Sequence, residues 1–438
     1  MVLEKVTTDL RCIRCDRRVE LLTERKFRCT CGGLYEVSHD YSKAGDINPQ
    51  ALRKLFDARC LQRRHDPRTT SGVWRFHELI LPTQGIEEIV SLGEGMFGIQ
   101  QAGPQLRQWT GIDALYLLTE GTGPTGSFKD FGGTVALSVA KKAGIKAVAC
   151  ASTGDTSAMA AAYAAAAGID CVVLLPKNGI TAAQLAQPLV YGAKVVLVPG
   201  TFDDAMRILQ ELIASGQVFP VNSLNPTRIE GHQASVFLAC QFMGWQMPDV
   251  FALPLGNGSN TSSIGKGMRA LNQLGLVKGT AQIIATQSAA ANPLARAWEQ
   301  AKLSSGREVT VESWQEYYQP QTVLGITSAT AARIGEPVSY EKVIRAVVES
   351  RGAALTATEA EIEVGRLLAG QDAFDLCPQT AMALAGVKQA RDRGLIQASA
   401  VVFVVSTATG MKFPDVDLSR VLESTTTEAG EVADLIGV

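Results

Sequence analysis

The chain has 438 residues, with 41 Lys and Arg against 43 Asp and Glu, a net charge of −2 and 46% apolar residues. That length exceeds one small core and points to two or three domains, and the balanced charge leaves no electrostatic footprint for nucleic acid or an anionic membrane surface. The longest apolar runs are strand-sized or Ala-rich, short of the ~20 residues of a membrane span, and residues 1–10 lack the apolar core of a secretory signal, so a cytoplasmic location is expected.

Four of the nine cysteines stand in Cys12-Ile13-Arg14-Cys15 and Cys29-Thr30-Cys31-Gly32-Gly33. In a reducing compartment this spacing favours metal over disulfide: Cys12, Cys15, Cys29 and Cys31 can supply four thiolates to one tetrahedral zinc. With every position filled by protein the metal has no open site, so its role is structural. The second pair is C-x-C where C-x-x-C is usual, and four buried free thiols in a small β-module are the plainer alternative. Residues 41–90 read as mixed and polar, with an exposed loop at 63–68, and Ser91-Leu92-Gly93-Glu94-Gly95 as a glycine turn.

Leu115 to Leu118 is strand-like, and Thr134 to Ala143 is helical. Between them lies Gly123-Pro124-Thr125-Gly126-Ser127-Phe128-Lys129-Asp130-Phe131-Gly132-Gly133, a strand-turn-helix junction. Ser127 stands three residues before Asp130, the spacing of a reciprocal helix cap. Lys129 falls in the first helical turn, where the positive end of the helix dipole favours the neutral amine that attacks a carbonyl. A solvated surface lysine is the ordinary alternative.

From Lys146 onward, strand-like runs at Ala147–Cys150, Cys171–Leu175 and Val195–Val198 alternate with helical segments, the mark of βαβ units and a parallel sheet. Ser152-Thr153-Gly154-Asp155-Thr156-Ser157 opens an Ala-rich helix, Ala158 to Ala167, stopped at Gly168. It reads either as an anion seat or as a plain N-cap, and Asp155 calls for a cationic or hydroxyl-bearing neighbour. In the segment from Val221 to Gly231, Arg228 can fork onto a phosphate or pair with Glu230, and Gln233 to Phe242 is helical. The strand Val250–Leu255 runs into Gly256-Asn257-Gly258-Ser259-Asn260, a phosphate-cradle candidate at a strand-to-helix junction. It is not a nucleotide P-loop, because Asn260 and Gly267 occupy positions where that motif needs Gly and Ser or Thr. Two further strands are expected at Gln282–Ala285 and Val401–Val405. The latter ends in Ser406-Thr407-Ala408-Thr409-Gly410, where open α/β sheets place ligands.

Taken together, PTGSFKDFGG (124–133), STGDTS (152–157), NSLNPTRIEG (222–231), LPLGNGSN (253–260), ATAARIGEPVSY (329–340) and STATGMKFP (406–414) resemble the pyridoxal-phosphate (PLP) enzymes of the tryptophan-synthase-β type, and within them the threonine synthases. The resemblance covers nearly the whole chain. It implies α/β architecture of the PLP fold type II kind: two open, twisted, mostly parallel-sheet domains with the cofactor between them. The divisions are a cysteine ribbon at 1–40, a large PLP-binding domain at 41–130 and 226–438, and a small mobile domain at 131–225. A homodimer is also implied.

Residue by residue, the resemblance makes Lys129 the catalytic lysine that carries PLP, with Phe128 beside it. Gly256, Asn257, Gly258, Ser259 and Asn260 would cradle the cofactor's phosphate, Thr407 would meet its pyridine nitrogen, and Asp155 would lie by its 3′-oxygen. Ser152, Thr153 and Thr156 would hold the substrate carboxylate, and Asn222, Ser223 and Arg228 its phosphate. The implied reaction converts O-phospho-L-homoserine and water to L-threonine and phosphate, a phosphate-eliminating lyase reaction. The chain departs from the family at Gly95-Met96-Phe97-Gly98, where many members have G-N-T-P, and at Thr407-Ala408-Thr409-Gly410, where many have T-G-H-G. Alternatives are a related enzyme such as cysteate synthase, acting on O-phosphoserine and sulfite, an amino-acid dehydratase, or a zinc-ribbon binding protein whose PLP-like domain is silent.

Overall fold

The computed structural model describes residues 5–45, 47–62, 65–152, 154–177, 182–199, 202–306 and 308–413. At the N-terminus β1 (Thr7–Cys12), β2 (Arg18–Glu20) and β3 (Tyr35–Asp40) form an antiparallel sheet of order β2-β1-β3. Next come β4 (Ile99–Gln101) and β5 (Ala114–Leu118), then β6 (Ala147–Ala151), β7 (Asp170–Pro176), β8 (Lys194–Val198) and β9 (Phe219–Pro220). The last four strands are β10 (Val250–Pro254), β11 (Gln282–Ser288), β12 (Ala353–Ala357) and β13 (Val401–Val405).

The chain leaves one sheet after β5 and returns to it at β10. The six-stranded sheet has the order β12-β11-β10-β13-β5-β4, parallel throughout except for the β4–β5 pair. The strands in between build a separate parallel sheet of order β8-β7-β6-β9. Strands β10 and β13 are nearly continuous Val, Phe, Ala and Leu and are buried along almost their whole length, as expected where helices cover both faces of a parallel sheet.

Five helices position the site: α1 (Lys129–Lys142), α2 (Asp155–Ala167), α3 (Pro226–His232), α4 (Ser259–Gln273) and α5 (Pro378–Asp392). The Ala-rich α2 ends at Gly168, whose φ of +68° lets its N–H reach back to the Ala164 and Ala165 carbonyls. Small residues also set how closely the helices approach. A Cβ on Gly133 would run into the Met159 side chain of α2, and one on Gly231 would overlap the Phe131 carbonyl of α1.

Two expectations are corrected. Residues 41–90 are not mainly polar surface: Leu52, Phe56, Val73, Trp74, Phe76 and Ile80 are completely buried, and a helix spans Pro49–Leu61. Within the stretch read as a loop, Asp66 caps the short helix Pro67–Thr70 and pairs with Arg68 at 2.7 Å; Arg63 and Arg64 lie outside the described residues. The C-terminal part also holds a third strand, β12, whose sequence AALTA carries little β-propensity and becomes a strand through burial beside β11.

Candidate active site

The lysine turn is locked to the end of β13. The Phe128 N–H donates to the Thr407 carbonyl at 2.8 Å, the Thr409 N–H donates to the Gly126 carbonyl at 3.2 Å, and Ser127 and Ala408 form an isolated bridge. Gly126 takes a φ of +80°, which the sharp entry into α1 requires. The expected Ser127–Asp130 cap does not form. Asp130 instead accepts from the Thr125 N–H at 2.9 Å and the Thr125 hydroxyl at 2.6 Å, while the Ser127 hydroxyl is buried with no partner among the described residues. Thr125 wins because its hydroxyl and amide together offer the carboxylate two donors.

Lys129 points its ammonium over the Phe128 ring, 3.9 Å from the centroid. Its pKa is lowered from 10.5 to about 7, chiefly by desolvation, then by the nearby Arg228 and Lys412, with Asp155 opposing. The direction is the expected one, but burial rather than the helix dipole is the main cause.

Around that amine lies a cleft of about 550 Å³, open mouth included. Every residue assigned to the cofactor lines it: Phe128, Lys129, Asp155, Gly256, Asn257, Gly258, Ser259, Asn260 and Thr407. Gly258 stands immediately before α4 with a φ of +85°, and a Cβ there would collide with Val343; one on Gly256 would lie 3.2 Å from the Ala332 Cα. Asn257 anchors the loop, its carbonyl accepting from the Ser339 N–H at 3.0 Å. At the far wall the Thr407 hydroxyl lies 3.5 Å from the Cys377 Sγ, and the Thr407 N–H donates to the Thr380 hydroxyl at 3.0 Å.

Asp155, at the start of α2, meets the cation that its position called for: Lys412 Nζ lies 3.1 Å from its carboxylate and also donates to the Thr125 carbonyl at 2.7 Å. Lys412 was missed as a site residue, although it stands within the quoted STATGMKFP motif. Gln379 was missed too. It lines the cleft in the first turn of α5, and its amide O and N have no partner among the described residues.

The described residues among those assigned to substrate lie outside this lining. Ser152 accepts from the Gly154 N–H at 3.3 Å, Thr156 is buried in the first turn of α2, and Thr153 lies outside the described residues. The Asn222 amide is bound to both backbone groups of Ala151, at 3.2 and 2.9 Å, tying it to the end of β6; Ser223 follows, half-buried. Arg228 is fully buried, donates to the Val221 carbonyl at 3.2 Å, and leaves Nε and Nη2 without partners among the described residues. It does not pair with Glu230. That carboxylate turns to Lys266, to the Gln233 amide at 2.8 Å and to His39 at 3.4 Å.

In the N-terminal module the four sulfurs of Cys12, Cys15, Cys29 and Cys31 lie within 4.8 Å of one another, with Cys12–Cys31 at 3.5 Å and Cys15–Cys29 at 3.6 Å. A tetrahedral site with Zn–S bonds of ~2.3 Å has sulfurs ~3.8 Å apart, so the cluster suits zinc. Gly33 completes the knuckle: a Cβ there would sit 2.8 Å from the Cys12 Sγ.

Whether the cleft suits pyridoxal phosphate follows from its own groups. A desolvated amine faces a loop whose glycines leave room for an anion at the start of a long helix, and both side-chain polar atoms of Asn260 are buried and unpartnered among the described residues. These groups fit an aldehyde that also carries a phosphate. Residues 101–407 match the family described as pyridoxal-phosphate dependent enzyme, and the chain belongs to it. It is 35% identical over 407 residues to a threonine synthase of Methanocaldococcus jannaschii, covering 92% of this chain and 93% of that one. To a threonine synthase of Methanosarcina acetivorans it is 33% identical over 422 residues, covering 96% of each. The crystal structure of threonine synthase from Escherichia coli shares the fold, with a TM-score of 0.66 and 17% identity over 98% of this chain and 95% of that one. Within the PLP-dependent class, the chain is a member of the threonine synthase family.

Proposed function

We propose that the chain converts O-phospho-L-homoserine and water to L-threonine and phosphate, with Lys129 as its catalytic lysine. The observation that carries this reading is the desolvated Lys129 amine facing the glycine loop 256–260, with the Arg228 guanidinium, whose Nε and Nη2 have no partner among the described residues, near enough to depress its pKa. Two anion seats are what a phosphorylated substrate on a phosphorylated cofactor demands. Bound in the cleft, pyridoxal phosphate supplies an electron sink for charge developing at the substrate's carbons.

The remaining work falls to the protein. Lys129 would move protons at the substrate's Cα and then Cβ, and the desolvation that lowers its pKa favours the neutral amine needed for that work. Gly256, Asn257, Gly258, Ser259 and Asn260 receive the cofactor phosphate, and Phe128 walls the cleft beside the amine. Asp155 is assigned to the cofactor's 3′-oxygen, with Lys412 restraining its carboxylate. Thr407 takes the pyridine nitrogen with a neutral hydroxyl. Ser152, Thr153 and Thr156 hold the substrate carboxylate at the start of α2, and Asn222, Ser223 and Arg228 its phosphate.

The four cysteines hold a structural zinc. Residues 131–225 form the small domain and close on residues 41–130 and 226–438 when substrate binds. The enzyme works as a cytoplasmic homodimer; among the described residues no helix is long and apolar enough to cross a membrane. The test is a paired assay of purified holoenzyme with O-phospho-L-homoserine and with O-phosphoserine plus sulfite. Threonine and phosphate from the first alone are expected; sulfite-dependent turnover of the second alone contradicts the proposal.

A further inference from the structure

Helix α3 carries a second group that the reaction outlined above does not use. His232 stands four residues after Arg228, so both project from one face of α3 toward α1. The glycine at the crossing shows the fit: a Cβ on Gly132 would lie 2.7 Å from the His232 Nε2 and 2.9 Å from the Arg228 Cβ. The imidazole also packs on Phe128, ring centroids 4.9 Å apart, and the Lys129 ammonium sits over that same ring. His232 is completely buried, and neither ring nitrogen has a partner among the described residues.

Among the described residues, four buried nitrogens, Nε and Nη2 of Arg228 with Nδ1 and Nε2 of His232, thus lack partners on adjacent positions of one helix face. Leaving four buried polar groups unsatisfied on one helix face is costly, so a ligand, an ion or ordered water must complete their bonds. The guanidinium selects an anion. Desolvation, with the charges of Arg228 and Lys129, holds the imidazole well below its ordinary pKa, so it stays neutral and offers one N–H donor beside the cation.

We propose that His232 is a second donor of the substrate-phosphate seat, acting with Arg228 to bind the phosphate monoester of the substrate. This rests on the reading of Arg228 as a phosphate ligand but not on which phosphorylated amino acid reacts. A seat of one cation and one neutral donor accepts the tetrahedral phosphate dianion while adding no second charge beside the Lys129 amine. A second lysine or arginine at this position would push that amine's pKa lower still.

Inorganic phosphate tests the seat directly. It is titrated calorimetrically into holoenzyme, whose own phosphate cradle is filled by the cofactor, for wild type, His232→Gln and His232→Leu. Losing one hydrogen bond to a charged partner should weaken phosphate binding roughly tenfold to a hundredfold in His232→Leu, while the amide of His232→Gln keeps a donor and stays within about threefold of wild type. Equal affinity in wild type and His232→Leu, or no phosphate binding by wild type, overturns the proposal. Should His232→Leu fail to fold, wild type labelled with ¹⁵N-histidine decides: the chain has only four histidines, and His232, assigned by its loss in His232→Gln, must shift when phosphate is added. An unshifted His232 signal overturns the proposal. An enzyme that ignores O-phosphohomoserine yet binds phosphate through His232 would refute the substrate assignment and leave this seat standing.

Discussion

Replacing Lys129 by Met tests whether the amine is as desolvated as the cleft implies. In the apoprotein its pKa is about 7 against 10.5 for a free lysine, so folding at low pH must drive a proton-loving group into a site that disfavours its charge. The unfolded chain binds more protons than the folded one between those two values, so the wild type gains stability as pH rises through that window. At about 1.4 kcal/mol per pKa unit, the penalty is about 5 kcal/mol at pH 6 and falls to about 2 kcal/mol at pH 9. Methionine fills the same space and carries no charge. Urea unfolding of both apoproteins, followed by fluorescence, should therefore show Lys129→Met more stable at pH 6, with its advantage shrinking by roughly 2–3 kcal/mol at pH 9. An advantage that does not change with pH would mean that the amine is solvated, and the explanation of its reactivity would fail.

Other perturbations probe the scaffold. Gly231→Ala forces a Cβ onto the Phe131 carbonyl and must part α1 from α3; it should cost about 1–3 kcal/mol in thermal or urea unfolding and abolish turnover, because Arg228 moves away from the lysine. Gly258→Ala imposes a positive φ on a residue with a Cβ, at ~1–2 kcal/mol, and should weaken PLP binding about tenfold or more, read by the visible absorbance of the holoenzyme during cofactor titration. Arg228→Ala should raise the KM for the phosphorylated substrate at least tenfold while the cofactor's absorbance is unchanged. Elemental analysis should find one zinc per chain, and its removal by chelator should lower the melting temperature without removing the PLP band.

Much of the site is legible in the chain because its key pieces are local. The turn around Lys129 and the glycine loop after β10 each combine a strand end, glycines and a helix start within about ten residues, and each lies against the cleft. What sequence reading misses is decided by competition in space. Asp130 has the spacing to cap with Ser127, yet Thr125 offers it two donors. Glu230 lies two residues from Arg228, but Lys266 on α4 and His39 on β3 take the carboxylate, which leaves the guanidinium bonded only to the Val221 carbonyl among the described residues. Gln379, on α5, shows no local signature of a site, while Lys412 and His232 stand within and just after the quoted motifs 406–414 and 222–231 and are marked only by the neighbours the fold gives them, Asp155 for Lys412 and Phe128 for His232. The core of residues 41–90 is hidden by the arginines between its aromatics, and Arg59 is itself buried, paired with Glu78 at 2.6 Å.

The most direct test of the central claim is to reduce the holoenzyme with borohydride, which fixes the cofactor to the lysine that holds it, and to map the modified peptide by mass spectrometry. The pyridoxyl group is predicted on Lys129 and nowhere else. Its recovery on another lysine, Lys412 included, would contradict the account.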